Sequence, residues 1–379
     1  MLYIIPNYYD PNTAATNRML ALLGGLSNCS SDKTVCEVDF FLPNNRRDKI
    51  VISYPNINIK YWWDSPWFFR NKYFKYISFR IAVNAFIRRL KAGDSVLLLG
   101  HVELLPWVQK KKGVRVYLEM NEYPELFHIG NGPFKISNEK LLQCCRKLNG
   151  LFVISYHLKD YFVEKGVNAD KIHLYRMIVD PSRFEQLEKQ KDGVTYIAYC
   201  GTAVNRKDGV NILIQAFPEV VKYRPDIQLY IIGATPWDKD NNENYNLIEN
   251  LGLGNKVVFT GIVDALAMPQ ILKNAEVLVL ARPDNVQSNY GFPTKLGEYL
   301  LSGNPVVVTS VGDIPRYLKD GENALLAIPD SPQSLADKII WALEHKNDAI
   351  EIGGNGRKTA LEFFNPQKEA EHILNIINS

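Results

Sequence analysis

Short, continuous runs of aliphatic residues recur along this chain, and each is followed by a longer stretch of helical periodicity or by a loop. LYIIP (2–6), SVLLLG (95–100), VRVYLE (114–119) and LFVIS (151–155) stand in the first half. TYIAYCG (195–201), IQLYIIG (227–233), KVVFTG (256–261), AEVLVLA (275–281) and PVVVTS (305–310) follow in the second. A strand that is apolar throughout has to be covered on both faces, and strands of this kind separated by helices specify a parallel sheet with helices on each side. The series restarts near residue 195, after the polar, strand-free stretch DPSRFEQLEKQKDGV. The expected fold class is therefore α/β, with two Rossmann-like doubly wound domains over 1–180 and 195–365 and a linker at 181–194. Residues 366–379 read as an amphipathic helix that comes after the second sheet is complete, and they are expected to pack back on the first domain. Ligands of open parallel sheets bind beyond the carboxyl ends of the strands, so two such domains facing each other would enclose a cleft lined by those loops.

The 379 residues suffice for two cores of ordinary size. Five cysteines, an odd number without CxxC spacing, argue against a zinc site or a disulfide framework and for a reducing compartment. The N-terminal MLYIIPNYYDP has no basic region and meets Pro6 after four apolar residues, so no signal peptide is expected. No apolar run approaches the ~20 residues of a membrane span. The net charge of +3 does not call for a nucleic-acid partner. The expected location is cytoplasmic.

The stretch GFPTKLGEYLLSGNPVV (291–307) carries the most chemistry. Pro293 and Gly303 suit the two ends of a short helix, and Leu296, Tyr299 and Leu300 form its buried stripe. Lys295 then falls in the first turn, where the macrodipole disfavours a cation. An anion at the helix start, most simply a phosphate, would account for it. Glu298, one turn further on, could accept hydrogen bonds from sugar hydroxyls. Alternatively the two form an ordinary surface i,i+3 ion pair worth a few tenths of a kcal/mol.

With its surroundings, this stretch resembles the donor-binding motif of family 4, or group 1, glycosyltransferases, which are retaining enzymes of GT-B fold. YIAYCGTAVNRKDGVNILIQAF resembles the first strand, loop and helix of that family's C-terminal domain, LYIIG and VVFTGIV its next strands, and GDIPRYLKDGENALL the segment after the glutamate motif. FVISYHLKDYFVEKGVNADKIHLYRMIVDPSRF looks like the last N-domain unit and linker, and PNYYDPNTAATNRMLALL like the first loop. The likeness is strong over 195–330, fair over 150–183 and weak over 30–95.

The resemblance implies a nucleoside-diphosphate sugar, with UDP or GDP, as donor and no cofactor or metal. In the family an Arg and a Lys after the first C-domain strand contact the diphosphate. Lys207 matches the Lys, while Thr202 stands at the Arg position and Arg206 is the nearby substitute, beside Gly201. Glu298 matches the ribose-binding glutamate. Eight residues earlier, where the family has another glutamate near the sugar, stands Tyr290, so that Asn289, Tyr290, Gly291 and Phe292 would line that spot ahead of the helix start at Pro293, Thr294 and Lys295. The backbone of Ile262 and Val263 would meet the base. Where the family often has a histidine after a central N-domain strand, VYLEMNEYPE has none. Either Glu119 and Asn121 line the acceptor side, or His101, one strand earlier, does. In the retaining mechanism the leaving phosphate takes the acceptor's proton, and the protein supplies electrostatic stabilisation.

Residues 61–91 interleave Trp62, Trp63, Trp67, Phe68, Phe69, Phe74 and Phe79 with seven basic side chains (Arg70, Lys72, Lys75, Arg80, Arg88, Arg89, Lys91) against Asp64 alone. That mixture suits an anionic bilayer, at the inner face of the membrane, and a lipid-linked saccharide acceptor. A core helix with a basic solvated face has the same pattern. The rival functions are a GT-B sugar-nucleotide epimerase, a phosphorylase (which would need a longer chain and a cofactor lysine), and a non-catalytic nucleotide-sugar-binding protein.

Overall fold

The computed structural model describes residues 1–6, 10, 13–29, 36–41, 53–62, 72–126, 136–190, 193–233 and 242–379, with the backbone alone at 72, 73, 75, 76 and 242. The chain divides into two units, Met1–Ile178 with Pro366–Ser379, and Val179–Asn365.

The strands of the first unit are β1 (Leu2–Pro6), β2 (Cys36–Phe40), β3 (Ile57–Tyr61), β4 (Ser95–Leu99), β5 (Arg115–Met120), β6 (Gly150–Val153) and β7 (Ile172–Leu174). All pair in parallel, in the order β3-β2-β1-β4-β5-β6-β7. The second unit has β8 (Tyr196–Cys200), β9 (Gln228–Ile232), β10 (Val257–Gly261), β11 (Val277–Leu280), β12 (Val306–Thr309) and β13 (Leu325–Ala327), parallel in the order β10-β9-β8-β11-β12-β13. Both units are thus doubly wound. The strand order reverses between β1 and β4 and again between β8 and β11, which are the points where such sheets open for a ligand.

The apolar runs all became strands, and all but one lie inside a sheet; the exception, KVVFTG, forms the edge strand β10, buried only at Val257. β6, β11 and β12 are buried at every position. β2 escaped the sequence reading because CEVDF carries two acids in a buried strand. Their partner lies far along the chain: Arg89 sits 3.0 Å from Glu37 and 2.8 Å from Asp39. β3 is an edge strand with residues exposed in alternation, and β7 and β13 are three residues each.

The C-terminal helix Pro366–Asn378 joins the core of the first unit through Ala370, Ile373 and Ile377, packed with Leu22, Leu23 and Leu26. Its close approach explains Gly25 within the helix Ala14–Asn28. A Cβ on Gly25 would strike the Pro366 carbonyl. Glu369, itself buried, fixes the helix by accepting from the Arg176 guanidinium at 2.8 Å and its backbone N–H at 3.2 Å.

The segment expected as a linker is fastened to the second unit over much of its length. Lys189 pairs with Glu276 at 3.0 Å, the Gln190 N–H donates to Asn274 at 3.0 Å, and Arg183 pairs with Glu298. Among the described residues no helix is long and apolar enough to cross a membrane.

Of the aromatic and basic residues at 61–91, positions 63–71 lie outside the described residues, as do the side chains of Lys72 and Lys75. The remainder divides. Phe79 is core, edge-on to Phe41 at 6.4 Å, Arg89 turns inward to Asp39, and Trp62 donates to Asp39 at 2.7 Å. Phe74, Ile77 and Ile81 form an exposed apolar stripe on the helix Lys72–Arg89, with Arg80 and Arg88 also exposed.

Candidate functional site

β8 ends at Cys200 and the chain passes through Gly201–Val204 into a short helix, Asn205–Asp208. β11 ends at Leu280 and leads through the helix Val286–Tyr290 to the helix Thr294–Leu301. Both loops lie at the β8/β11 switch point. They are tied together by Asn285, whose Nδ2 donates to the Arg206 carbonyl at 2.8 Å and whose Oδ1 caps the helix at Ser288.

Lys295 is held at this junction. Its Nζ donates to Asp208 Oδ2 at 2.6 Å and to the Tyr199 hydroxyl at 3.1 Å, and lies over the Tyr199 ring at 4.6 Å. The Tyr199 hydroxyl donates to the same Asp208 oxygen at 2.7 Å and accepts from the Ala203 N–H at 3.2 Å. The ammonium lies directly under the backbone of Gly201, where a Cβ would collide with both Lys295 Nζ and the Tyr199 hydroxyl. Gly201 also has φ +150°, which favours glycine.

Asp208 supplies an anion for the lysine that the helix start disfavours. Burial pushes the Asp208 carboxyl up. The charge and hydrogen bond of Lys295, the Tyr199 hydroxyl and the buried Arg282 guanidinium outweigh burial and hold the carboxyl below its ordinary value. Burial and the adjacent Asp208 raise Tyr199 well above its own, so the phenol stays protonated.

Glu298 lies one turn along the same helix. It pairs with Arg183, whose Nη2 also donates to the Ala265 carbonyl at 3.0 Å. The i,i+3 pairing of Lys295 with Glu298 that the sequence allowed gives way to these two partners from distant segments. The far end of the helix is fixed by two cations, as its dipole favours: Lys273 donates to the Ser302 carbonyl at 2.7 Å and Arg357 to that of Leu301 at 3.1 Å.

The other expected donor residues fall around this frame. Thr202 and Arg206 are exposed and Lys207 is half-buried, next to Asp208. Ile262 is 71% exposed, Leu266, in the same loop, 92%, and Val263 half-buried, so the Ile262 side chain is not strand packing. Asn289 spends its amide within the loops, donating to Asp284 at 2.7 Å and accepting from the Gly312 N–H at 3.0 Å. Tyr290 is half-buried. Gly291 and Phe292 are buried, with the Phe292 ring edge-on to Tyr317 and Phe364. Pro293 precedes the helix without a side-chain cap, and Thr294 opens it.

The acceptor-side candidates lie in the first unit. Glu119 is buried against Arg18, which also donates to Asn121 at 3.0 Å and to the Arg176 carbonyl at 3.4 Å and stacks over Tyr175 at 4.2 Å. His101 is wholly buried, with Nδ1 3.2 Å from Glu103 and its ring 6.1 Å from Phe79. Asn121 is half-buried and so more accessible than Glu119 or His101.

Sequence reasoning missed Tyr199, Asp208, Arg183 and Arg18. Asp208 had a local signal, because it follows Lys207 in NRKDG. Arg183 and Arg18 had none, since each meets its partner far along the chain, and Tyr199 read as one more residue of the strand TYIAYCG. Among the described residues no group of three or more His, Cys, Asp or Glu side chains is placed to hold a metal ion.

Residues 194–345 match the family described as glycosyl transferases group 1. An uncharacterized glycosyltransferase of Methanocaldococcus jannaschii is 28% identical over 56% of this chain and 52% of its own. Mannosylfructose-phosphate synthase of Agrobacterium fabrum is 25% identical over 58% of this chain and 49% of its own. The chain thus spans about half the length of the curated relatives it matches. HepE of Anabaena, solved in complex with UDP, superposes over 100% of this chain and 99% of its own, with a TM-score of 0.74 at 15% identity. The fold is that of the GT-B glycosyltransferase structures, with two Rossmann-like domains.

Proposed function

We propose that this chain is a retaining family 4 glycosyltransferase that moves a sugar from a nucleoside-diphosphate sugar to a saccharide or lipid-linked acceptor in surface polysaccharide or glycoconjugate synthesis. One observation carries the reading. At the switch point of the sheet matched by the group 1 family, an ammonium lies under a glycine loop, and a partly exposed carboxylate lies one helical turn away. The solved complexes of HepE with UDP and with UDP-glucose support a uridine donor.

In this reading the diphosphate lies over Gly201–Thr202 and the uncapped start of the helix Thr294–Leu301. Lys207 and Arg206 reach it from the loop, and Lys295 acts from below. Glu298 accepts the ribose hydroxyls, the base rests on Ile262 and Val263, and Asn289–Phe292 border the sugar, with Tyr290 where the resemblance leads one to expect a carboxylate. The acceptor hydroxyl attacks on the face from which the diphosphate leaves and passes its proton to the leaving phosphate. The protein's share is charge stabilisation by Lys207, Lys295 and the helix end, without a resident metal. Asn121, beside Glu119 and Arg18, faces the acceptor, rather than the wholly buried His101.

Melting of the protein with UDP-, GDP- and dTDP-sugars, followed by donor hydrolysis on long incubation with and without EDTA, tests this. Stabilisation by one nucleotide with slow hydrolysis is expected. Binding without turnover would favour a non-catalytic protein, and stabilisation by no nucleotide would sink the donor site. Membrane contact through Phe74, Ile77 and Ile81, flanked by Arg80 and Arg88, belongs to the same proposal, with the protein at the cytoplasmic face. Vesicles rich in anionic phospholipid should carry the protein in a flotation gradient, and zwitterionic vesicles should not.

A further inference from the structure

We propose that Arg183 is a positioning residue for nucleotide binding, a single guanidinium that joins the carboxylate of Glu298 to the loop after β10. The proposal rests on the donor-site reading above.

The contacts are specific. Nη1 donates to Glu298, and Nη2 donates to the Ala265 carbonyl at 3.0 Å. Ala265 lies between the exposed Ile262 and Leu266, so one side chain ties the expected ribose-binding carboxylate to the expected base-binding loop. The backbone below Arg183 is itself held. Asp180 caps the turn Pro181–Phe184 by accepting from the Ser182 N–H at 2.9 Å and the Ser182 hydroxyl at 2.7 Å, and Phe184 is buried.

The chemistry favours arginine. Its planar fork holds five donors in fixed directions and can serve two acceptors at once, whereas a lysine offers a point charge on a flexible stem. A carboxylate has about four acceptor positions, so a bond from Arg183 does not exhaust its capacity for hydroxyls. The Arg183 and Glu298 side chains are 19% and 12% exposed, which leaves the pair within reach of a ligand. With both acceptors held before the nucleotide arrives, less ordering accompanies binding.

The test is calorimetric binding of UDP, 2′,3′-dideoxy-UDP and, in parallel, GDP to the wild type, Arg183→Ala, Arg183→Lys, Glu298→Ala and the Arg183→Ala/Glu298→Ala double variant, with circular dichroism on each. Wild type should prefer UDP to the dideoxy analogue. Arg183→Ala should weaken UDP about tenfold and narrow that preference. Arg183→Lys should recover only part of the loss, and it keeps the test valid should the alanine variant not fold. The double variant should lose less than the product of the two single losses. Wild-type affinity and preference in Arg183→Ala would overturn the proposal. So would equal weakening of both uridine ligands, which marks a merely structural role, or tighter binding, which would mean that Arg183 occupies the carboxylate in the ligand's place. If the wild type binds neither UDP nor GDP, the donor-site reading fails and this proposal with it. That result is distinct from a wild type that binds and is indifferent to residue 183.

Discussion

Arg18 and Glu119 in the first unit meet with side chains 5% and 6% exposed, while Arg183 and Glu298 in the second meet at 19% and 12%. The chemistry of the two pairs is the same, but their surroundings differ. Arg18 is boxed in by Asn121, the Arg176 carbonyl and the Tyr175 ring. Burial pulls at its guanidinium, but the adjacent Glu119 wins and raises it above its ordinary value. For Arg183 burial wins and lowers it. A pair sealed from water holds helix, strand and return segment in register. A pair left partly open keeps its carboxylate within reach of a ligand.

The strongest way to break this comparison is Arg18→Ala. It leaves the Glu119 charge buried without its cation, which costs about 3–5 kcal/mol. Urea unfolding should show that loss, and Arg18→Met with Glu119→Leu should recover much of it. If Arg18→Ala destabilises no more than Arg183→Ala, the distinction between sealed and open pairs is wrong. Next comes Gly201→Ala, where the side chain meets Lys295 and Tyr199 at a positive φ. Strain of about 1–3 kcal/mol is expected, read as a lower melting temperature together with weaker UDP binding. Unchanged UDP binding would remove the glycine loop from the site.

Lys295→Ala should cost about 1–3 kcal/mol by stranding Asp208 and should weaken UDP binding roughly tenfold, or ~1.4 kcal/mol. The same pair predicts an acid limb. The folded Asp208 carboxyl lies below its ordinary value of 3.8. Its stabilisation is therefore complete above that value and is lost as pH falls through the lower, folded one. Asp208→Asn should flatten the stability profile below about pH 4, and a variant whose acid limb matches the wild type would refute the assignment. The smallest effect belongs to Lys222→Ala, at an ion pair whose side chains are 71% and 45% exposed. A change within about 0.5 kcal/mol is expected, and it calibrates the scale against the two arginine pairs.

Much of the fold was legible because burial on two faces leaves a plain mark. VLVL and VVVT admit no solvent-facing side chain and became β11 and β12. CEVDF was not legible, because its acids look solvated until Arg89 is brought to them. The site divides in the same way. Lys295 and Glu298 stood out as a misplaced cation and a carboxylate one turn away, and the helix, with its uncapped start, is where the sequence put it. The anion answering Lys295 was expected in a ligand, and Asp208 provides one within the protein. Arg183 read as one more charge in a linker, and the sequence left Phe79 open between an aromatic surface and the core, where the structure puts it.

By itself the sequence determined the local and statistical properties. These are the two series of parallel strands, the helix ends with their dipoles, and the residue types placed at strand ends. Tertiary structure alone decided which charges neutralise one another and which remain open to a ligand. Coulomb energy and desolvation depend on distance and burial in space. The partners that settle the roles of Lys295, Glu298 and Glu119 come from segments remote in the chain.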